Sequence, residues 1–272
     1  MKVSVADAAR AVTAKGAFER LARAGYVARG VIYILMGILA FKLAWGVSGD
    51  SPGQEGAMHL IARQRFGRVL LVVLAIGLAG YTMLRVTQAV AGRTPEAGRH
   101  STKDRVGAFG SGCAYGLFCA AAIGILAGST GGGGGTKPRA ATSDVFGWPG
   151  GRVLVAVAGL VFIGVAAYQA YTGTSRTFLK DSKSMYMTPR TLRRFTVVGV
   201  VGHLARSVTF GLVGIFLAKS AIEYDAREAV GIDGALQRLQ THAYGTIAVT
   251  IVACGLIAFG LYSIADARFR KI

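Results

Sequence analysis

Six long apolar stretches run through the sequence, and polar segments separate them. At a rise of 1.5 Å per residue, a helix of about twenty residues spans the ~30 Å hydrocarbon layer of a membrane. The pattern therefore predicts an all-α polytopic membrane protein with six transmembrane helices. The predicted spans are residues 25–47, 68–91, 106–128, 152–172, 196–218 and 243–265.

Composition agrees with this fold class. Of the 272 residues, 53% are hydrophobic, and the mean hydropathy is +0.48. A soluble domain of this length can bury a core, but it would not need six such apolar blocks. Residues 1–23 carry charges throughout and contain no apolar core of a signal peptide. This segment is interpreted either as a basic amphipathic helix on the membrane surface or as a frayed basic tail.

Basic residues are distributed unequally between alternate polar segments. The N-terminus, the loops 93–105 and 176–194 and the C-terminal tail hold 18 Lys and Arg residues, whereas the three alternate loops hold 9. This asymmetry predicts that both termini lie in the cytoplasm, where the loops would meet anionic lipid headgroups. The net charge of +18 does not indicate nucleic-acid binding, because no aromatic platform accompanies it.

The chain also contains an internal repeat. The segment 25–33, Gly-Tyr-Val-Ala-Arg-Gly-Val-Ile-Tyr, aligns with 202–210, Gly-His-Leu-Ala-Arg-Ser-Val-Thr-Phe. Further on, Gly-Ala-Met at 56–58 aligns with Gly-Ala-Leu at 234–236. A single insertion in the loop relates the two units. Self-similarity over this length indicates a repeat architecture.

A middle unit is more divergent. The places of Gly25, Arg29, Gly30 and Tyr33 are occupied there by Gly107, Ser111, Gly112 and Tyr115. The segments 57–65 and 235–242 of the outer two units have apolar residues at helical spacing and predict short interfacial helices. In the middle unit the glycine run 131–135 predicts a flexible tether, and no such helix is expected there.

These observations predict three repeats, at residues 24–92, 105–175 and 195–268, after the N-terminal segment 1–23. Each repeat crosses the membrane twice, so all three enter it in the same orientation. Parallel repeats predict a pseudo-threefold axis along the membrane normal. Small residues four positions apart, such as Gly112 and Gly116, favour close contacts between the helices.

The repeat resembles that of the bacterial membrane family called domain of unknown function 1206. The likeness rests on the Gly-Tyr-x-Ala-Arg-Gly-x-x-Tyr opening at 25–33, the Gly-Ala-Met/Leu run and a closing Gly-Leu pair, and it covers about residues 25–268. It implies a multi-pass protein of the bacterial inner membrane with three tandem two-helix units, and it implies no activity. Ser111 departs from the motif, which has Arg at that position.

Arg29 and Arg206 are the candidate site residues, at equivalent positions within the first and fifth spans. A charged group inside the bilayer costs a few kcal/mol and usually faces protein or water. One hypothesis is that both guanidiniums, together with Ser111, face the central axis and bind a lipid phosphate or a small carboxylate. The alternative is that each arginine reaches the cytoplasmic headgroups or bonds the carbonyls of a neighbouring helix.

No catalytic residues, metal ligands or cofactor are predicted. The sequence lacks the hydrolase, zinc-protease and phosphate-loop motifs, and its spans are almost free of carboxylates. The histidines do not form a pattern typical of metal or haem ligation, and His203 is interpreted as a polar packing residue. Cys113, Cys119 and Cys254 are interpreted as small packing residues.

Two functional classes remain open. The first is a non-enzymatic membrane scaffold or regulatory module that binds a partner protein. The second is a lipid- or anion-binding carrier or channel with an axial site near Arg29, Ser111 and Arg206. A carrier requires a polar, water-accessible path around these residues, whereas a scaffold requires a filled bundle centre.

Overall fold

The computed structural model describes residues 5–47, 49–91, 93–94, 98–99, 102–128 and 136–270. Within these residues the regular secondary structure is helical, apart from one short antiparallel pair of strands. The helices are α1 (Val5–Ala44), α2 (Gln54–Ala62), α3 (Gly67–Ala91), α4 (Thr102–Leu126), α5 (Thr136–Phe146), α6 (Gly151–Thr174), α7 (Pro189–Glu223), α8 (Ile232–Gln240) and α9 (Gly245–Phe269). The strands are β1 (Arg93–Thr94) and β2 (Gly98–Arg99), and short 3-10 turns cover Thr177–Asp181, Ser184–Tyr186 and Ala226–Glu228.

Six of these helices, α1, α3, α4, α6, α7 and α9, are long and apolar enough to cross a membrane. The predicted six-span, all-α architecture is therefore confirmed at the level of length and composition. The shorter helices α2, α5 and α8 each connect the two long helices of one repeat.

The middle repeat differs from the prediction. No short helix was expected there, and that was wrong, because α5 begins at Thr136. Pro138 lies in the first turn of α5, where a backbone N–H has no intrahelical partner and a proline is tolerated. The ring of Phe146 at the end of α5 stacks on Tyr224 with 4.7 Å between centroids. The predicted tether, residues 131–135, lies outside the described residues.

Two long helices extend beyond their predicted spans. Residues 5–23 form the start of α1, which continues to Ala44. At the other end of the protein, α7 begins at Pro189, where the Thr188 side chain accepts a hydrogen bond from the Thr191 N–H. The helix ends at Glu223, and the next residue, Tyr224, caps it with a φ of 54°.

The most extensive helix pairings join neighbouring repeats, with α3 against α4, α6 against α7, and α9 against α1. In each case the second helix of one repeat packs on the first helix of the next, in cyclic order. Within repeats, α1 packs on α3 and α7 on α9, but α4 and α6 make no comparable pairing. At the α1–α9 pairing an added Cβ at Gly30 would lie 2.7 Å from the Gly260 carbonyl oxygen, so the two backbones approach closely.

Two arginines at equivalent repeat positions cap the ends of the neighbouring helices. Arg23 of α1 donates to the Ala267 carbonyl near the end of α9, at 2.7 Å. Arg105 of α4 donates to the Ala89 carbonyl near the end of α3, at 2.8 Å. The last carbonyls of a helix have no intrahelical partner, and a cation there also interacts favourably with the helix dipole. The first contact joins the first and third repeats, and the second joins the second and first.

Candidate functional site: a buried arginine and aromatic cluster

Arg29 lies between three helices and is only 5% exposed. Its Nε donates to Ser263 Oγ on α9 at 2.8 Å, and its Nη1 donates to the Tyr81 hydroxyl on α3 at 2.8 Å. Ser263 in turn donates to the Tyr26 carbonyl at 2.8 Å. The rings of Tyr26, Tyr81 and Phe259 surround the guanidinium at 4.8 to 5.2 Å from their centroids. Arg29 therefore ties α1 to α3 and α9.

Arg206 occupies the equivalent position on α7 and is half-buried. Its guanidinium packs on the Phe259 ring at 4.4 Å and on the rings of Phe210 and Tyr33 at 5.0 and 5.2 Å. In the amide orientation that satisfies its neighbours, Gln169 of α6 accepts hydrogen bonds from Arg206 at 2.9 and 3.2 Å. The Phe259 ring consequently contacts both Arg29 and Arg206.

The same Gln169 amide connects Arg206 to His203. Its nitrogen donates to His203 Nδ1 at 3.1 Å, which leaves Nε2 as the protonated ring nitrogen. His203 is 7% exposed and stacks on Phe178 at 5.3 Å between centroids. The imidazole thus packs within the bundle, on the side of the cluster that faces α6.

Ser111 lies in the α3–α4 pairing, and glycine contacts define the register there. Gly112 of α4 corresponds to Gly30 of α1 in the repeat. An added Cβ at Gly30 would lie 3.2 Å from the Ile264 nitrogen, and one at Gly112 would lie 3.6 Å from the Val86 nitrogen. Ile264 of α9 and Val86 of α3 therefore occupy corresponding positions.

It follows that the preceding residues, Ser263 and Arg85, also correspond. In the α1–α9 pairing, the arginine (Arg29) belongs to α1, the first helix of its repeat, and the serine (Ser263) belongs to α9, the second helix of its repeat. The α3–α4 pairing has the reverse arrangement. There the serine (Ser111) belongs to α4, the first helix of its repeat, and Arg85 belongs to α3, the second helix of its repeat. The absence of arginine at position 111 is thus accompanied by a new arginine on the helix opposite.

Each of the three pairings between repeats consequently contains one guanidinium of this cluster, besides the capping arginines such as Arg23 and Arg105. The three guanidiniums of the cluster belong to Arg29, Arg206 and Arg85, the last of which the sequence-based site did not include. Arg85 donates to the Tyr81 hydroxyl through Nε at 2.9 Å and Nη2 at 2.7 Å. Because Tyr81 also accepts from Arg29, its hydroxyl oxygen joins two of the three cations.

The cluster has more cations than anions. Within the described part of the chain, no carboxylate forms an ion pair with Arg29, Arg85 or Arg206. The hydroxyl of Tyr115, which is 6% exposed, has no hydrogen-bond partner among those residues. The described residues also contain no group of His, Cys, Asp and Glu side chains that could hold a metal ion.

Comparison with known proteins identifies the repeat. The family model Domain of Unknown Function (DUF1206) matches residues 24–92, 106–176 and 201–270. The chain belongs to the DUF1206 family. It is also 32% identical over 255 residues to a protein of Bacillus subtilis (strain 168) named Uncharacterized protein YxxB. That alignment covers 93% of this chain and 92% of the relative. No solved structure matches the chain.

The family assignment confirms the resemblance and the three tandem units predicted from the sequence. Each match of the DUF1206 model covers part of the first long helix of one repeat and the whole of its second long helix. Neither the family description nor the relative's name states an activity, so the arginine cluster is interpreted from its geometry alone.

Sequence reasoning missed a polar group where α9 of this DUF1206 protein ends. Asp266 is fully buried, accepts from Ser182 Oγ at 3.2 Å and pairs with Arg270 at 3.4 Å. Arg270 also pairs with Asp181 at 2.9 Å. Burial lowers the pKa of Arg270, but Tyr26, Asp266 and Asp181 raise it well above its usual value. These contacts hold the loop after α6 against the end of α9.

A second polar group surrounds α8, at the opposite end of the bundle. Glu228 pairs with Arg238 and, at 3.2 Å, with Lys219. The hydrogen bond from Arg238 is the main cause that lowers the pKa of Glu228, and Lys219 lowers it further. Asp233, at the start of α8, is 5% exposed and accepts from Ser51 Oγ at 2.8 Å. These carboxylates bond within the protein, which links α8 to α7 and to the first repeat.

Proposed function

We propose that this protein is a non-enzymatic membrane module that binds a partner, and that its arginine cluster holds the three repeats together. The enclosure of Arg29 carries the proposal. Its guanidinium is 5% exposed, bonds side chains of two other helices and is surrounded by aromatic rings. A guanidinium engaged in this way links the helices of the bundle. Because it is enclosed, it offers no surface to a passing solute, which favours a structural role.

The proposal places the chain in the bacterial plasma membrane, with a pseudo-threefold arrangement and both termini in the cytoplasm. The cyclic order of the pairings, α3 with α4, α6 with α7 and α9 with α1, supports the threefold arrangement. The excess of Lys and Arg on alternate segments supports the orientation, and these segments would contact anionic lipid headgroups.

A protein partner is proposed to bind the side of the bundle formed by α4 and α6. Only 17% and 22% of these two spans is buried, against 56% for the span of α1. Large apolar side chains such as Leu117 and Leu160 are 71% and 68% exposed there. A photoreactive residue at position 117 should crosslink the partner in cells, whereas one at Val69 of α3, which is 63% exposed, should not.

Labelling of position 111 tests the closed centre. Ser111→Cys is made in a chain whose native cysteines are replaced, and membrane vesicles are treated with a water-soluble thiol reagent from either side. A filled centre predicts protection from both sides. Met185→Cys, at a position 95% exposed, serves as the reactive control, and Ala122→Cys, at a position 0% exposed, as the buried control. Labelling of position 111 at the rate of position 185 would contradict the scaffold function.

A second candidate is a small-anion site beside Arg206. Arg206 is half-buried, unlike Arg29, and the hydroxyl of Tyr115, which has no hydrogen-bond partner in the described part of the chain, lies within the same cluster. The three uncompensated guanidiniums favour an anion there. On this alternative, the thiol introduced by Ser111→Cys would react, and phosphate or acetate would slow the reaction. Arg206→Gln would abolish that anion protection, whereas Arg63→Gln, at an exposed outer position, would not.

A further inference from the structure

An open cavity of about 430 Å³ lies at the start of α7. Its lining consists of Arg190, Arg193, Arg194, Val197 and Val198. Arg193 and Arg194 lie three and four residues after Arg190, and Val197 and Val198 lie four residues after Arg193 and Arg194, so the five residues share one face of the helix. The face changes from three guanidiniums to two apolar side chains within about two helical turns.

The three guanidiniums are exposed, and within the described residues none of them pairs with a carboxylate. Like charges three and four residues apart on a helix repel one another. An anion placed between them relieves that repulsion. Phosphate suits the arrangement, because the planar fork of arginine binds two of its oxygens at once.

The depth of this face in the proposed membrane indicates that a lipid headgroup supplies the phosphate. Arg194 lies twelve residues before Arg206, or about 18 Å along the helix axis. This distance separates mid-membrane from the headgroup region. Directly before α7, Met185 and Tyr186 are 95% and 84% exposed. Large side chains of this kind are typical of segments that contact the membrane interface.

The geometry points to a binding site for an anionic phospholipid at the start of α7. Its phosphate contacts Arg190, Arg193 and Arg194, and its acyl chain lies along Val197 and Val198. The site rests on the proposed membrane placement, but it is independent of the scaffold function and of the buried arginine cluster. It specifies one place where the basic segments contact anionic lipid.

Quenching by brominated lipids tests this site. Tyr186→Trp is made in a chain in which Trp45 and Trp148 are replaced by Phe, and the protein is reconstituted in phosphatidylcholine vesicles. Brominated phosphatidylglycerol, added at a low fraction, should quench the reporter several-fold more than brominated phosphatidylcholine at the same fraction. Equal quenching by the two lipids would overturn the site.

Two triple variants show whether the cavity or overall charge is responsible. The change Arg190→Gln, Arg193→Gln and Arg194→Gln should abolish the preference for phosphatidylglycerol. The control replaces three exposed arginines at other places, Arg65, Arg68 and Arg139, by Gln and should keep it. Retention of the preference for phosphatidylglycerol in the first variant, or its loss in the control, would overturn the inference.

Two further outcomes distinguish a wrong lipid assignment from a wrong membrane placement. If inorganic phosphate removes the preference in the unsubstituted site, a soluble anion occupies the cavity and the lipid assignment is wrong. If neither brominated lipid quenches the reporter, the loop does not lie at the membrane, and both this site and the proposed placement fail. Labelling of position 111 remains a separate test of the closed centre.

Discussion

Gly30→Ala offers a direct test of how the close approach of α1 and α9 supports the cluster. An added Cβ would lie 2.7 Å from the Gly260 carbonyl oxygen and 2.6 Å from Ile264 Cγ1. Ordinary contact begins near 3.4 Å, so the helices must separate by roughly 0.7 Å. The neighbouring bond from Arg29 to Ser263 would then lengthen from 2.8 Å toward the limit of a hydrogen bond.

Overpacking of this kind costs about 1–3 kcal/mol, and loss of a hydrogen bond to a charged group costs about 1.5–3 kcal/mol. The better helix propensity of alanine offsets about 1 kcal/mol of this. We therefore expect Gly30→Ala to lower the free energy of unfolding by about 2–5 kcal/mol. Gly260→Ala meets the reciprocal carbonyl at 2.6 Å, so the two changes should not be additive.

The assay is an SDS titration of the protein in mixed micelles, followed by the loss of helical circular dichroism. Gly107→Ala on α4 is the matched control, because an added Cβ there has no neighbour within 4 Å. It should be neutral or slightly stabilising. If Gly30→Ala and Gly107→Ala unfold at the same SDS fraction, the close approach of α1 and α9 does not support the cluster.

Two further substitutions test the polar groups at the two ends of the bundle. Asp266→Asn leaves the cation of Arg270 without its buried partner and should lower the free energy of unfolding by about 3 kcal/mol in the same titration. Asp181 also pairs with Arg270, but its side chain is 47% exposed, so Asp181→Asn should lower that free energy by less than about 1 kcal/mol. The lowered pKa of Glu228 implies that its pairing with Arg238 contributes stability at neutral pH, which is lost as the pH falls through that pKa. Thermal unfolding between about pH 6 and pH 3 should therefore show a smaller loss of stability in Glu228→Gln than in the unsubstituted protein, and equal losses would refute the assignment.

The sequence was sufficient to predict the spans and the repeats, because apolar length and a recurring motif are local properties of a chain. It also placed Arg29 within a span. It did not reveal the partners Ser263 and Tyr81, because these belong to helices far away in the sequence and no spacing rule relates them. Their positions depend on the close packing of glycines such as Gly30 on a neighbouring helix.

The same limitation affected Ser111. The sequence showed that Ser111 departs from the motif, but Arg85, at the position that corresponds to Ser263, lies on the helix opposite. A usable signal did exist, since the offset of 178 residues that relates the first and third repeats aligns Arg85 with Ser263. Arg23 and Arg105 were counted only as positive charges that set the topology. Their equivalent repeat positions would have indicated a shared structural role, which is helix capping.

Exchange of the residues at positions 85 and 111 tests the central claim most directly. If each pairing between repeats requires one guanidinium of the cluster, Arg85→Ser removes it and Ser111→Arg adds a second, so each single change should lower the free energy of unfolding in the SDS titration. The double variant restores the arrangement of Arg29 and Ser263, and it should be more stable than either single variant. A double variant whose loss of stability equals the two single losses added together would contradict the account.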